Sequence, residues 1–269
     1  MRVLIACEYS GRVRDAFIRR GHDAMSCDLL PTESPGPHYQ GDIRDVLDYP
    51  WELAIFHPPC TRLCNSGVRW LHERDLWDDM HEACDFFNAC LDANAPMVAV
   101  ENPVMHKYAR ERIGRGPDFT IQPWQFGDDA KKRTCFWTRG LLPLVPTSAL
   151  DGSTARADVH LASPGPERWK DRSRTYPGLA EAIADQWGRD AEEKPGAIFR
   201  KSQGCIFRNT PGPFPGWRCI PDKIALGGSN HFGGILLHIP VTQLPGANAG
   251  FGRIGIHQKR SLFARFIEG

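Results

Sequence analysis

Three short apolar runs, each stopped by polar or proline residues, constrain this chain more than any other feature. They are Arg2-Val3-Leu4-Ile5-Ala6, Leu53-Ala54-Ile55-Phe56 and Pro96-Met97-Val98-Ala99-Val100. Continuous rather than alternating apolarity over so few residues marks strands buried on both faces of a parallel sheet. Asp23 to Cys27 gives a weaker second strand that ends at Asp28. After the first run, Val13, Ala16 and Phe17 share a helical face, with Ser10 placed to cap it and Gly21 to stop it. A turn-rich stretch, Pro31 to Gly36, follows the second strand. From Leu71 to Leu91, the residues Leu76, Met80, Cys84, Phe87 and Leu91 recur at three- and four-residue spacing, which predicts one long amphipathic helix. Strands alternating with helices imply an α/β fold with a parallel sheet, right-handed crossovers and helices on both faces.

Charge divides the 269 residues unevenly. Residues 194–269 hold ten Lys/Arg against two acids, Asp222 and Glu268, whereas residues 1–193 hold 23 against 30. The same stretch carries 13 of the 26 glycines. A break that sharp predicts a boundary near Glu193-Lys194-Pro195-Gly196, with 1–193 as the catalytic domain and 194–269 as a basic, Gly/Pro-rich C-terminal extension. The extension is either a nucleic-acid-binding module or an irregular segment. In it Ile235 to Val241 reads as a strand, Arg253, Lys259, Arg260 and Arg265 as phosphate contacts, and Trp217 or Phe251 as a stacking platform. No apolar run approaches the roughly 18–20 residues that cross a bilayer, so no membrane partner is expected. Nine cysteines without an export signal read as reduced thiols of a cytoplasmic protein.

The chemistry collects where the strands end. Cys7-Glu8-Tyr9-Ser10-Gly11 follows the first strand, Asp28 the second, His57-Pro58-Pro59-Cys60 the third and Glu101-Asn102-Pro103 the fourth. In an open parallel sheet these positions face one ligand crevice. The first turn lacks G-x-G-x-x-G, which argues against a dinucleotide pyrophosphate. Asp28 suits a ribose, and Asp42 either an adenine amino group or a turn cap. A nucleoside-bearing cofactor without pyrophosphate fits, S-adenosyl-L-methionine being the common one. Cys60, on a rigid Pro-Pro turn, reads as a nucleophile with a lowered pKa, or as a packing cysteine. Glu101, at the end of a buried strand, is expected to be partly protonated and to donate to a ring nitrogen.

These segments resemble the small phage-type DNA (cytosine-5) methyltransferases. Pro59-Cys60 is similar to their nucleophile motif and Glu101-Asn102 to their Glu-Asn motif. Gln122 to Gly127, then Lys132, Arg133 and Thr134, resembles the motif that touches the base and phosphates, and Arg174 to Trp187 the closing helix. The departures are a glycine-poor cofactor turn and Thr61 in the place of the usual glutamine. The region between the base-contacting motif and the closing helix is also too short for the usual target-recognition domain.

The resemblance implies a Rossmann-like S-adenosylmethionine-dependent methyltransferase sheet. It implies methyl transfer to C5 of cytosine in DNA, with Cys60 and Glu101 catalytic. Cys7, Glu8, Ser10, Gly11, Asp28, Asp42 and Pro58 would hold the cofactor, and Asn102, Lys132 and Arg133 a flipped-out cytosine. Such an enzyme would work in the cytoplasm of a bacterium or a phage-infected host, as part of DNA modification. Other readings stay open: a free nucleotide or single-stranded DNA as substrate, a different transferred group, or a DNA-binding protein without catalysis. A metal on His57, Cys60 and Cys64 is disfavoured, because the zinc deaminase signature is one residue out of register and no H-x-E precedes it.

Overall fold

A computed structural model describes residues 1–157, 165, 168–193, 205–210 and 216–221, the side chains of 190–193 and of the last two segments excepted. The chain divides into two units, Met1–Lys194 and Pro195–Glu268, each taken by itself. In the first unit seven strands form one sheet in the order β3-β2-β1-β4-β5-β7-β6. They are β1 (Arg2–Ala6), β2 (Asp23–Asp28), β3 (His38–Gln40), β4 (Leu53–Phe56), β5 (Met97–Pro103), β6 (Phe119–Ile121) and β7 (Thr134–Arg139). The first five run parallel, and β7 pairs antiparallel with both β5 and β6. Strand order reverses between β1 and β4, so the crevice of a doubly wound sheet opens beyond their carboxyl ends. This is the α/β, Rossmann-like sheet with helices on both faces that the sequence leads one to expect, with a reversed β7 that the apolar runs did not disclose.

Burial explains why the runs were legible. Every residue of β4, and Val3 to Ala6 of β1, is buried, so neither face tolerates a polar side chain. One face is covered by α1 (Arg12–Arg19), the other by α3 (Trp77–Leu91) and α4 (Lys107–Ile113); two short helices, α2 (Val68–Glu73) and α5 (Arg168–Ser173), precede α3 and α6 (Pro177–Glu193). Helix α6 packs beside α1, and its Trp187 is fully buried, edge-on to Phe136 with ring centroids 5.5 Å apart. The indole N–H of Trp187 donates to the Leu142 carbonyl at 3.0 Å, so the ring is both packed and polar-satisfied. Trp187→Ala should therefore cost about 3–5 kcal/mol. Urea unfolding reads this directly, and a loss below about 1 kcal/mol would mean that α6 is not part of the core.

Two local expectations are corrected. Ser10 is not the N-cap of α1, although its Oγ accepts from the Arg12 amide at 3.4 Å: the N-cap is Gly11, at φ 73°, and the Glu8 carboxylate takes the amides of Val13 and Arg14 at 2.8 and 3.3 Å. A side chain at Gly11 would also collide with Arg14 and Ser34. The helix predicted from Leu71 to Leu91 is two helices. The chain turns at Asp75, whose φ of 51° is a left-handed value that aspartate tolerates, and α3 restarts with Asp78 and Asp79 favouring its N-terminal dipole.

In the second unit the described residues form a hairpin, β8 (Cys205–Thr210) paired antiparallel with β9 (Gly216–Pro221), and Trp217 lies on β9. Ile235 to Val241, Phe251, Arg253, Lys259, Arg260 and Arg265 lie outside the described residues.

Candidate functional site

The first turn of the crevice is built by β1 and α1. Cys7 leaves β1 with φ 58°, an uncommon conformation for a residue with a side chain, and burial pushes its thiol pKa well up. Glu8 is only 5% exposed, and both its oxygens are used inside the turn, one of them also accepting from Ser10 Oγ. Glu8 and Ser10 thus hold the shape of the turn and leave its backbone to face the crevice. The turn is held from outside as well: Tyr9 Oη donates to the Lys170 carbonyl at 2.9 Å and Arg12 donates to the Thr175 carbonyl at 2.8 Å. Arg174 forks onto Glu33 at 2.8 and 2.6 Å. The closing segment, α5 and the residues after it, is therefore fastened to the first turn and to the loop beyond β2.

Asp28 ends β2 with one oxygen accepting from the Leu30 amide at 2.9 Å. Burial outweighs that bond and pushes its pKa from 3.8 up to about 6. A raised carboxylate pKa favours the folded state only while the group is protonated. That contribution is full below the ordinary value and lost as pH rises through about 6. Asp28→Asn should therefore gain on the order of 2 kcal/mol over the natural chain above pH 6.5 and nothing near pH 4. Thermal scans at the two pH values test this, and an equal gain at both would contradict it. Asp42 takes the capping alternative: it accepts from the Arg44 amide at 3.0 Å and pairs with the Arg44 guanidinium, which holds its pKa down. Pro58 is buried in the wall after β4.

The third and fourth strand ends meet. Phe56 is the register partner of Val100, which places His57 beside Glu101. His57 Nδ1 lies 3.2 Å from Glu101 Oε2, and since a carboxylate only accepts, that nitrogen donates. Both side chains are nearly enclosed, 10% and 14% exposed. Glu101 Oε1 and His57 Nε2 are buried with no hydrogen-bond partner among the described residues. Burial alone would raise the Glu101 pKa, but the His57 bond and the Lys132 charge outweigh it and hold the carboxyl below its usual range. The expectation of a partly protonated Glu101 is thereby corrected: it stands ionised, with one acceptor free.

Cys60 sits in the same crevice, within the electrostatic reach of Glu101 and Lys132. Its carbonyl takes the amide of Cys64, one turn further on, at 3.0 Å. The neighbouring Cys64 thiol and burial push the Cys60 pKa up, contrary to the lowering expected from its turn, while Cys64 is itself pulled down. Asn102 is separated from this cluster. Alternation turns it to the opposite face of β5, where it is fully buried and neither amide atom has a partner among the described residues. The basic run also divides. Lys131 Nζ donates to the Ser153 carbonyl, Lys132 bears on the crevice, and exposed Arg133 lines a separate cavity of about 430 Å³ with Arg110, Gln122 and Trp137. Among the described residues no group of three or more His, Cys, Asp or Glu is arranged to hold a metal ion.

His57 and Cys64 entered the sequence reading only as candidate metal ligands, and neither was given a part in the chemistry of Cys60 and Glu101. The strand-end position of His57 was visible, but its meaning needs the β4–β5 pairing.

The chain matches no protein-family model and no curated protein. Among solved structures it is similar to a prophage-encoded Escherichia coli protein described as a DNA modification methyltransferase. That pairing has 14% identity and a TM-score of 0.36, over 51% of this chain and 46% of the other. It is also similar to the Entamoeba histolytica methyltransferase EhMeth, at 13% identity and a TM-score of 0.39, over 61% of this chain and 60% of the other. The chain thus spans less than two thirds of either protein. At such overlap the site is read from its own residues.

Proposed function

We propose that this protein transfers a methyl group from S-adenosyl-L-methionine to C5 of cytosine in DNA, through a covalent bond between Cys60 and C6. The observation that carries the reading is the pairing of a thiol with an ionised, half-satisfied carboxylate across adjacent strand ends. Glu101 keeps one oxygen on His57 and the other free and buried. A free acceptor in that place fits a ring edge that offers N–H donors, as the amino group and protonated N3 of cytosine do.

C5 of cytosine is a poor nucleophile, and adding a thiolate to C6 converts the ring into an enamine. Beside the Glu101 carboxylate, N3 gains basicity, takes a proton from solvent and keeps it as an ion pair while the ring pair moves toward it. The Lys132 charge favours the ionised form of both groups. After transfer the C5 proton leaves to solvent, the electron pair returns to the ring, the C6–sulfur bond breaks to release Cys60 as a thiolate, and N3 gives its proton back to solvent. A cytosine in a duplex must first leave the stack, at a cost of roughly a few kcal/mol.

The cofactor's nucleoside fits the crevice beside Asp28, whose ionisation is penalised by burial and would be relieved by two ribose hydroxyls. The Cys7 to Gly11 turn, shaped by Glu8 and Ser10, and buried Pro58 would form its walls, and Asp42 would act by fixing the adjoining turn. Bound there, the cofactor supplies an electrophilic methyl group. Residues 1–193 would carry this chemistry, and 194–269 would supply basic contacts to DNA.

Nucleoside mass spectrometry of DNA incubated with the protein and donor tests the proposal, using duplex, single-stranded and free-nucleotide substrates. A new 5-methylcytosine signal supports it and shows which substrate form is used. Cytosine that stays unmodified in all three, or a methyl group on the exocyclic nitrogen, would overturn it.

A further inference from the structure

The cavity of about 430 Å³ beside the crevice has a chemistry of its own. Its floor is apolar and enclosed: Met105, Ile121, Cys135 and Trp137 line it, and each is at most 4% exposed. Its lining also includes Arg110 from α4 and Arg133, the residue before β7, both exposed. Neither guanidinium has an ion pair or hydrogen bond among the described residues, whereas nearby Arg112 and Arg115 are paired with Asp85 and Asp118. No acidic side chain among the described residues lines the cavity. Gln122 adds an unsatisfied acceptor. The Gln125 amide bonds to the Gln122 main-chain carbonyl at 3.0 Å, and the Gln125 side chain accepts from the Gln122 amide at 2.6 Å, so the loop closes without the Gln122 carboxamide oxygen. That Oε1 is buried with no partner among the described residues. An unpaired buried oxygen is costly, and a ligand N–H would relieve it.

We propose that this cavity is a second nucleotide pocket: a base rests on the apolar floor with one N–H on Gln122 Oε1, and its phosphate lies between Arg110 and Arg133. The proposal rests on the reading of the protein as one that acts on DNA or nucleotides, from which it takes the ligand class. The pocket is distinct from the place where cytosine meets Cys60. Glu101 faces Phe136 in register, so Cys135 and Trp137 alternate onto the other face of the sheet, the face of Asn102. Yet the two places adjoin: Arg133 follows Lys132, whose charge bears on Glu101, and Met105 bridges to Cys64 of the nucleophile turn. The volume lies in the range of small-molecule sites and suits one nucleotide, not a duplex. Every base offers an N–H on its pairing edge, each at a different place, so a fixed acceptor discriminates among them. The nucleotide is either a neighbour of the target cytosine in a displaced strand or a free mononucleotide. In a strand, the pocket would read a base beside the target without a recognition domain of the usual length.

The test needs neither donor nor turnover. Isothermal titration of the full chain uses each of the four deoxynucleoside 5′-monophosphates, and separately a short single-stranded oligonucleotide with one central cytosine. Arg110→Gln and Arg133→Gln should each weaken binding about tenfold or more. Each should also lower the salt slope for the oligonucleotide by about one. Arg112→Gln, on the same helix but paired with Asp85, should leave binding unchanged. The natural chain should separate the best and worst of the four bases by about fivefold or more, and Gln122→Ala should bring them within about twofold. If Gln122→Ala fails to fold by circular dichroism, the two exposed arginines decide the matter. This pattern with mononucleotides identifies a free nucleotide, and with the oligonucleotide alone a base within a strand; either supports the pocket. No binding of either probe, no dependence on Arg110 and Arg133, or an equal loss in Arg112→Gln would overturn it. The predicted pattern in a protein that leaves cytosine unmodified would uphold the pocket and sink the cytosine reading; its absence in an active methyltransferase would do the reverse.

Discussion

Cys60→Ser should lower the rate of cytosine modification by on the order of a thousandfold or more, while the fold and donor binding stay intact. Cys60 is partly exposed on the turn after β4 and lies outside the apolar core of the sheet, so its loss leaves no large cavity. A serine hydroxyl is nearly isosteric, but no charge in the crevice brings it near ionisation at neutral pH. Glu101 opposes a negative sulfur or oxygen there, and Lys132 only partly compensates. Single-turnover formation of 5-methylcytosine reads the effect. A variant within tenfold of the natural rate would exclude a covalent route and favour direct transfer to an exocyclic amine, which needs no nucleophile.

Glu101→Gln is expected to cost about a hundred- to a thousandfold, some 3–4 kcal/mol of barrier. The amide oxygen can still accept from His57, so the geometry survives, but the charge that draws a proton onto N3 is gone. The same substitution has a stability signature with a definite sign. The folded carboxyl lies below its ordinary value, so its ionised form contributes stability above the ordinary carboxylate range, and this is lost as pH falls through the folded value. Natural protein and variant should therefore differ in Tm at pH 7 and converge toward pH 3. A rate loss below tenfold, or a Tm difference that grows on acidification, would contradict the role given to Glu101.

What the sequence disclosed follows from burial. Strands β1, β4 and β5 are enclosed on both faces, so their apolar runs stand out, and the residues that end them define the crevice. Strand β7 is equally buried from Thr134 to Trp137, but it starts inside a basic run and was read only as a contact motif. The short edge strand β6 has no run to detect. The break at Asp75 went unread because the three- and four-residue spacing was extended back to Leu71, although it starts only at Leu76, five residues later.

At the site, the positions of Cys60 and Glu101 were legible and their ionisation was not. A thiol or carboxyl on a strand end is visible in one dimension; what shifts its pKa comes from elsewhere in the fold. Glu101 is held ionised by His57, 44 residues away in sequence, and by Lys132, while Cys60 is pushed up by the Cys64 thiol one turn later and by burial. The roles expected for Glu8 and Ser10 changed for a similar reason. Acids and hydroxyls near a strand end look like ligand contacts until the helix amides that they satisfy are seen.

The most direct test of the covalent account is trapping with DNA that carries 5-fluorocytosine at potential targets, in the presence of the methyl donor. Fluorine at C5 cannot leave as a proton does, so an adduct formed through C6 has no route to elimination. The account predicts a stable protein–DNA complex whose tryptic digest carries the nucleotide on the peptide that ends at Arg62, and no complex with Cys60→Ser. A complex through another residue, or turnover of cytosine DNA with no trapped species, would contradict it.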